Sequence, residues 1–148
     1  MDRALIRRRL ADLQRNLQTL QQWKSVSYED WAASTEKVWA VEHGLQTSIQ
    51  IVLDIGNHLL VDLGENNVED YSGVIVRLGT AGILPVEFSK RIRPMAGFRN
   101  LLVHEYAEVD LKEVYRILRD HLDDFEDFGK HIEAYLSKTD KPESKPAL

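Results

Sequence analysis

Arg99, Asn100, His104 and Tyr106 fall within eight consecutive positions of the 148-residue chain and bring together side chains suited to work on a phosphodiester. A histidine can take the proton from a ribose 2′-hydroxyl or return one to the departing oxygen. An arginine stays charged and can hold the phosphate while negative charge builds on it. On a helix, Asn100 and His104 stand one turn apart, so the amide can bond the imidazole and fix which nitrogen carries the proton. Arg99 and His104, five apart, point about 140° away from each other. They meet at one phosphate through the reach of the arginine, through a helix end near His104, or through a second copy of the chain. Arg99 and Tyr106, seven apart, share a stripe if the helix continues.

Other chemistries find less support. None of the five histidines (His43, His58, His104, His121, His131) makes a metal-type pairing backed by a second ligand cluster, so no metal site is expected. Gly79 and Gly82 are too sparse for a phosphate loop, and no Ser/His/Asp order stands out. Asp54 and His58 lie four apart and can pair on one helix face, either as a satisfied polar pair or as support for a cleft. His43, His121 and His131 read as structural or exposed. Trp23, Trp31 and Trp39 read as packing residues rather than platforms for stacked bases.

The elements that must position these groups are helices. Ile6, Leu10, Leu13, Leu17 and Leu20 make one apolar stripe over residues 2–24. Ser27, with Asp30 three residues on, is a capping signal for a helix running to about Leu63, along which Trp31, Val38, Leu45, Val52 and Leu59 repeat every seven residues. That helix is apolar on more than one side near Ile49–Ile55, as a central helix should be. Gly64–Asn67 supply a turn, and a shorter helix follows over about 71–81, stopped by Gly82. Pro85 suits the first turn of the next helix, which carries Phe88, Ile92, Met95 and Leu102 and should kink at Pro94 and Gly97. Asp110 caps the last helix with Glu113 reaching back, and its stripe runs from Leu111 to Leu136. No segment alternates with period two. The expected architecture is all-α: one antiparallel bundle of about five helices over residues 1–136, with a disordered tail over 137–148.

Composition agrees with a single globular domain, at 43% apolar and 29% charged residues. The absence of cysteine rules out disulfides and thiolate metal sites, and a reduced cytoplasmic setting is the expectation. No apolar run approaches the roughly 20 residues of a membrane span, and the arginine-studded N-terminus does not read as a signal peptide. The net charge of −5 argues against a general nucleic-acid binder, yet it is unevenly spread. Arg3, Arg7, Arg8, Arg9 and Arg15 crowd residues 2–15, and Lys90, Arg91, Arg93 and Arg99 crowd residues 87–99. An acidic protein can still present a basic groove to phosphates.

The block Met95–Tyr106 resembles the HepT-like branch of the HEPN superfamily, whose signature is Arg-x4-His-x-Tyr. Val41–Gln46, Leu53–Leu60, Gly82–Pro85 and Asp123–Phe128 resemble that family in the same order, so the likeness spans most of residues 1–136. The resemblance implies an all-α homodimer with its Arg/His pairs near the two-fold axis, and metal-independent endoribonuclease activity in a toxin. It also implies a minimal nucleotidyltransferase (MNT) antitoxin as partner, using ATP to attach AMP to the motif tyrosine. Carried onto this chain, Arg99 binds phosphate, His104 is the acid/base, Asn100 orients and Tyr106 is the modification site, while Asp54 and His58 are supporting candidates on their spacing alone. The alternative is a non-catalytic HEPN module that helps a partner nucleotidyltransferase hold its nucleotide or substrate. A third reading is a helical dimerisation protein without an RNA role.

Overall fold

The computed structural model describes residues 1–65 and 71–140. Among them run α1 (Arg3–Gln21), α2 (Tyr28–Ala32), α3 (Thr35–Asp62), α4 (Tyr71–Thr80), α5 (Val86–Ile92), α6 (Pro94–His104), a 3₁₀ turn (Tyr106–Glu108), α7 (Leu111–Asp120) and α8 (Leu122–Thr139), with no strand. No described helix is long and apolar enough to cross a membrane.

α3 is the axis, about 42 Å long, and α1, α2, α4, α6, α7 and α8 all pack on it. Its buried residues include Val41, Leu45, Ile49, Val52, Leu53, Ile55, Leu59 and Leu60, more than one stripe can hold, so it is surrounded. α1 runs antiparallel to it: Arg9 meets Asp54 and Asn16 meets Thr47 and Ser48, so numbers fall on α3 as they rise on α1. Ile6, Leu13, Leu17 and Leu20 are the buried stripe of α1. Gly56 lets α4 come close, since a Cβ there would lie 2.8 Å from both Val74 and Leu78 side chains.

Three of the five expected helices are each broken once. The helix expected from Ser27 to Leu63 is interrupted at Ser34, which is extended (φ −111°, ψ 112°) and whose hydroxyl accepts from the Lys37 amide. The short α2 thereby turns in, and Trp31 is fully buried with its indole N–H donating to the Lys37 carbonyl. The expected kink at Pro94 is a helix boundary: α5 ends at Ile92, and Pro94 opens α6 where its missing N–H costs nothing. Pro85 precedes α5 as its cap residue rather than lying in the first turn. The third break is His121 (φ −124°, ψ 7°). Arg116 can only donate, so His121 Nε2 accepts at 2.7 Å and the Nδ1 proton faces Asp124 at 3.1 Å, tying the corner between α7 and α8. Asp110 does cap α7, accepting from the Lys112 amide, but Glu113 binds Arg116 instead of reaching back.

Gly64 and Gly82 both take left-handed φ (88° and 77°), which glycine adopts without a Cβ clash. Asn66 and Asn67 of the expected turn lie outside the described residues, as do residues 141–148 of the expected tail. Residues 137–139, expected in the tail, are helical instead: α8 continues through Ser137 and Lys138 to Thr139, where the Thr139 hydroxyl bonds the Tyr135 carbonyl.

Candidate active site

α6 has two faces. Ala96, Phe98 and Leu102 are buried against the bundle. Gly97, Asn100, Leu101 and His104, at helical spacing on the other side, are exposed and together with Glu105 line a hollow of about 270 Å³. A Cβ on Gly97 would meet nothing within 4 Å, so this face is open. Leu101, 41% exposed, puts an apolar surface in the middle of it. Arg93 is helical in backbone and eleven positions before His104, which places it on the same face about 16 Å away.

Arg99 is turned toward the bundle. It is half-buried, its Nε donates to Gln50 Oε1 at 2.9 Å, and its Nη1 donates to Asn100 Oδ1 at 3.0 Å. Asn100 therefore orients the arginine and not the imidazole, contrary to the pairing expected from the one-turn spacing. The carbonyl is taken by a charged donor, a stronger partner than a neutral ring. His104 is exposed, is the last residue of α6, and has no hydrogen-bond partner among the described residues. Arg99 and His104 thus keep the divergence that a helix imposes on residues five apart.

The helix stops immediately after His104. Glu105 leaves the helical region (φ −132°, ψ 36°) and Tyr106 opens the 3₁₀ turn. The stripe expected to join Arg99 and Tyr106 is therefore cut. Tyr106 is still only two residues from His104, a Cα separation of at most about 7.6 Å.

Asp54 and His58 do not pair with each other. Asp54 accepts from Arg9 Nη2 at 2.6 Å and from Gln50 Nε2 at 2.8 Å, while His58 Nε2 accepts from the Asp2 backbone N–H at 3.3 Å. Both partners from α1 arrive through tertiary packing, and a guanidinium outcompetes a neutral imidazole for a carboxylate. His58 is tied to the start of α1, and Asp54 is joined to Arg99 through Gln50. The Arg9–Asp54 pair is more than a third exposed on each side, so it adds only about 0–1 kcal/mol to folding.

Gln50 is the residue sequence reasoning missed. Its type is bland, and the available signal was its spacing: four before Asp54, on the same helix face. The remaining histidines are placed as expected: His131 packs on Phe88 (centroids 4.7 Å), His121 ties a corner, and His43 is exposed. Trp31 is buried and Trp23 half-buried, but Trp39 is 67% exposed and is no packing residue.

The two basic stretches are largely neutralised. Arg3, Arg7, Arg9 and Arg15 pair with Asp140, Glu133, Asp54 and Asp12, and Lys90 and Arg91 pair with Glu87 and with Asp124 and Asp127. Arg8 and Arg93 are exposed and have no ion pair among the described residues. Among those residues no three His, Asp or Glu side chains converge as metal ligands would.

Comparison with known proteins identifies the family of the chain. Residues 7–132 match the family model described as Ribonuclease HepT-like. The chain is 31% identical over 132 residues to the tRNA nuclease HepT of Aphanizomenon flos-aquae, covering 89% of this chain and 90% of that protein. It superposes on the cytosolic protein YutE from Bacillus subtilis with TM-score 0.83 at 22% identity, covering 97% and 96% of the two chains. It superposes on the tri-AMPylated HEPN toxin of Shewanella oneidensis, solved in complex with MNT antitoxin, with TM-score 0.80 at 25% identity, over 90% of this chain and 99% of that one. The chain belongs to the HepT-like ribonuclease family.

Proposed function

We propose that this protein is a metal-independent endoribonuclease and the toxin of a toxin–antitoxin pair, acting as a homodimer in the cytoplasm. The observation that carries the reading is the division of labour on α6. Arg99 is held by two amide oxygens, while His104 stands on the exposed face with no hydrogen bond from any described residue. One group can receive a phosphate as a pre-oriented cation, and the other can move a proton.

In the proposed reaction the ribose 2′-oxygen attacks phosphorus and the 5′-oxygen leaves, giving a 2′,3′-cyclic phosphate. His104 takes the 2′-hydroxyl proton or delivers one to the leaving 5′-oxygen, water exchanges the proton at the other oxygen, and Arg99 balances the charge growing on the phosphate. Fixed charge and acid/base transfer together supply what a metal ion would otherwise contribute. Because Arg99 and His104 diverge on one helix, the arrangement that unites them is two-fold: Arg99 of one copy opposite His104 of the other. The open face with Leu101 at its centre supports such a contact, since an exposed leucine gains most when a second copy covers it.

Tyr106 is the proposed site of AMPylation by a minimal nucleotidyltransferase partner. AMP on a residue so close to His104 would put negative charge where the RNA phosphate must bind. The likeness to a tri-AMPylated toxin bound to MNT antitoxin supports this. Residues 1–136 are proposed as the functional domain, with the segment beyond α8 dispensable.

The test is incubation of unmodified protein with total cellular RNA in EDTA, beside Arg99→Ala and His104→Ala. Cleavage by wild type alone, leaving 2′,3′-cyclic phosphate ends, is the expected outcome. Intact RNA in every lane, with Tyr106 shown unmodified by mass spectrometry, would refute the ribonuclease reading.

A further inference from the structure

Gln50 carries no charge and moves no proton, yet among the described residues it is the one side chain that joins Arg99 to the central helix. Its two ends face opposite demands. Asp54, one turn along α3, is an acceptor only, so Gln50 must turn its NH₂ toward it, at 2.8 Å. Oε1 is then left facing α6, where it accepts from Arg99 Nε at 2.9 Å. The other oxygen of Asp54 accepts from Arg9 on α1, at 2.6 Å. Donation therefore runs one way, from Arg99 to Gln50 to Asp54, and Arg9 closes the far end. Three helices are linked through a single amide.

We propose that Gln50 is the positioning residue for Arg99, and that Asp54 and Arg9 act on Arg99 by fixing the orientation of the Gln50 amide. The proposal rests on the reading of Arg99 as the phosphate-binding group. An arginine side chain has many rotamers, and contacts at Nε and Nη1 together define the plane of its guanidinium. The chemistry of the link also matters. A carboxylate touching Arg99 directly would orient it equally well but would cancel the charge that a phosphate needs. The neutral amide separates Arg99 from Asp54, and Arg9 compensates Asp54. Within that chain of contacts the Arg9 and Asp54 charges offset each other. Exposed ion pairs such as Arg9–Asp54 contribute little to folding, so the role argued for this chain is orientation rather than stability.

The experiment uses the full chain with Gln50→Leu and Gln50→Glu, each in the wild-type and the Arg99→Ala backgrounds. Cleavage of total RNA, binding of a fully 2′-O-methylated 20-mer oligoribonucleotide, and thermal melting are measured. Gln50→Leu keeps the volume and loses both hydrogen bonds. It should slow cleavage about 10-fold to 100-fold, the cost of a misplaced reacting group, and weaken binding of the oligonucleotide while melting stays near wild type. Gln50→Glu should weaken binding further, because it neutralises Arg99 and faces Asp54 with like charge. In the Arg99→Ala background neither substitution should change binding. Wild-type cleavage and binding by Gln50→Leu overturns the proposal. So does an equal loss of binding in both backgrounds, which would mark a general disturbance of α3. If Gln50→Leu does not fold, Gln50→Asn, which keeps the amide but shortens its reach, carries the same comparison. A wild type that neither binds nor cleaves RNA would instead remove the ribonuclease reading, and the role of Gln50 with it.

Discussion

The two reacting groups proposed on α6 live in opposite conditions although they are only five positions apart. Arg99 is half-buried, bound to Gln50 and Asn100, and connected through α3 to α1. His104 ends its helix, faces solvent, and is bonded by no described residue. A cation that must hold a phosphate gains from being set beforehand, because its orientation then costs nothing at the moment of reaction. A base must reach the substrate, and in the proposed reaction the RNA, or a second copy of the chain, would complete the surroundings of His104. On the proposed reading, the fold of one chain holds the charge and the assembly completes the proton-transfer step.

The largest expected effect separates the two roles. His104→Ala should lower the cleavage rate about 10²-fold to 10⁴-fold, the usual worth of a general acid or base, with little change in binding of a 2′-O-methylated RNA. Arg99→Ala should lower rate and affinity together. If both variants bound RNA equally well in a fluorescence-anisotropy titration, the division between them would be wrong. Leu101→Glu comes next: it puts charge at the centre of the open face and should yield a monomer with cleavage reduced at least about tenfold. Sedimentation would show the monomer, and melting should fall only to that of the lone chain, whose own core Leu101 does not join, being 41% exposed there. Smaller still is Arg93→Ala, on the same face as His104. It should weaken binding alike for all RNA sequences and reduce the slope of log affinity against log salt by about one.

A control lies on α3, off the polar chain to Arg99. Burial pushes the Glu42 carboxyl above its ordinary pKa. Its carboxylate then costs stability above the folded pKa, and the cost disappears below the unfolded one. Glu42→Gln should therefore raise Tm at pH 7 by on the order of 1 °C, leave Tm at pH 4 unchanged, and leave cleavage untouched. A change in cleavage would mean that Arg99 responds to α3 in general rather than to Gln50.

Much of this was legible in the chain, and the misses share a cause. The stripes Ile6–Leu20 and Leu118–Leu136 read directly as buried faces, because helical periodicity is local. The breaks at Ser34, Arg93 and His121 did not, since each follows from where a helix must turn to pack. His121, for instance, is held by Arg116 and Asp124 across a corner. The Arg99/His104/Tyr106 spacing was visible as a motif, but the helix end at Glu105 that cuts its stripe was not. Asp54 looked like a partner for His58 because only α3 was in view. Arg9 and Asp2, some 45 and 56 positions away, decide where both side chains go. Gln50 is silent in the sequence for the same reason: its chemistry lies wholly in what folding brings to its two ends.

The most direct test of the account is subunit complementation. Arg99→Ala and His104→Ala proteins, each inactive alone, are mixed under conditions that exchange subunits, and native mass spectrometry follows the mixed dimer. If Arg99 of one copy works with His104 of the other, each mixed dimer regains one intact site and metal-free RNA cleavage returns. Mixed dimers that form and remain inactive would contradict the shared site and return both groups to a single chain.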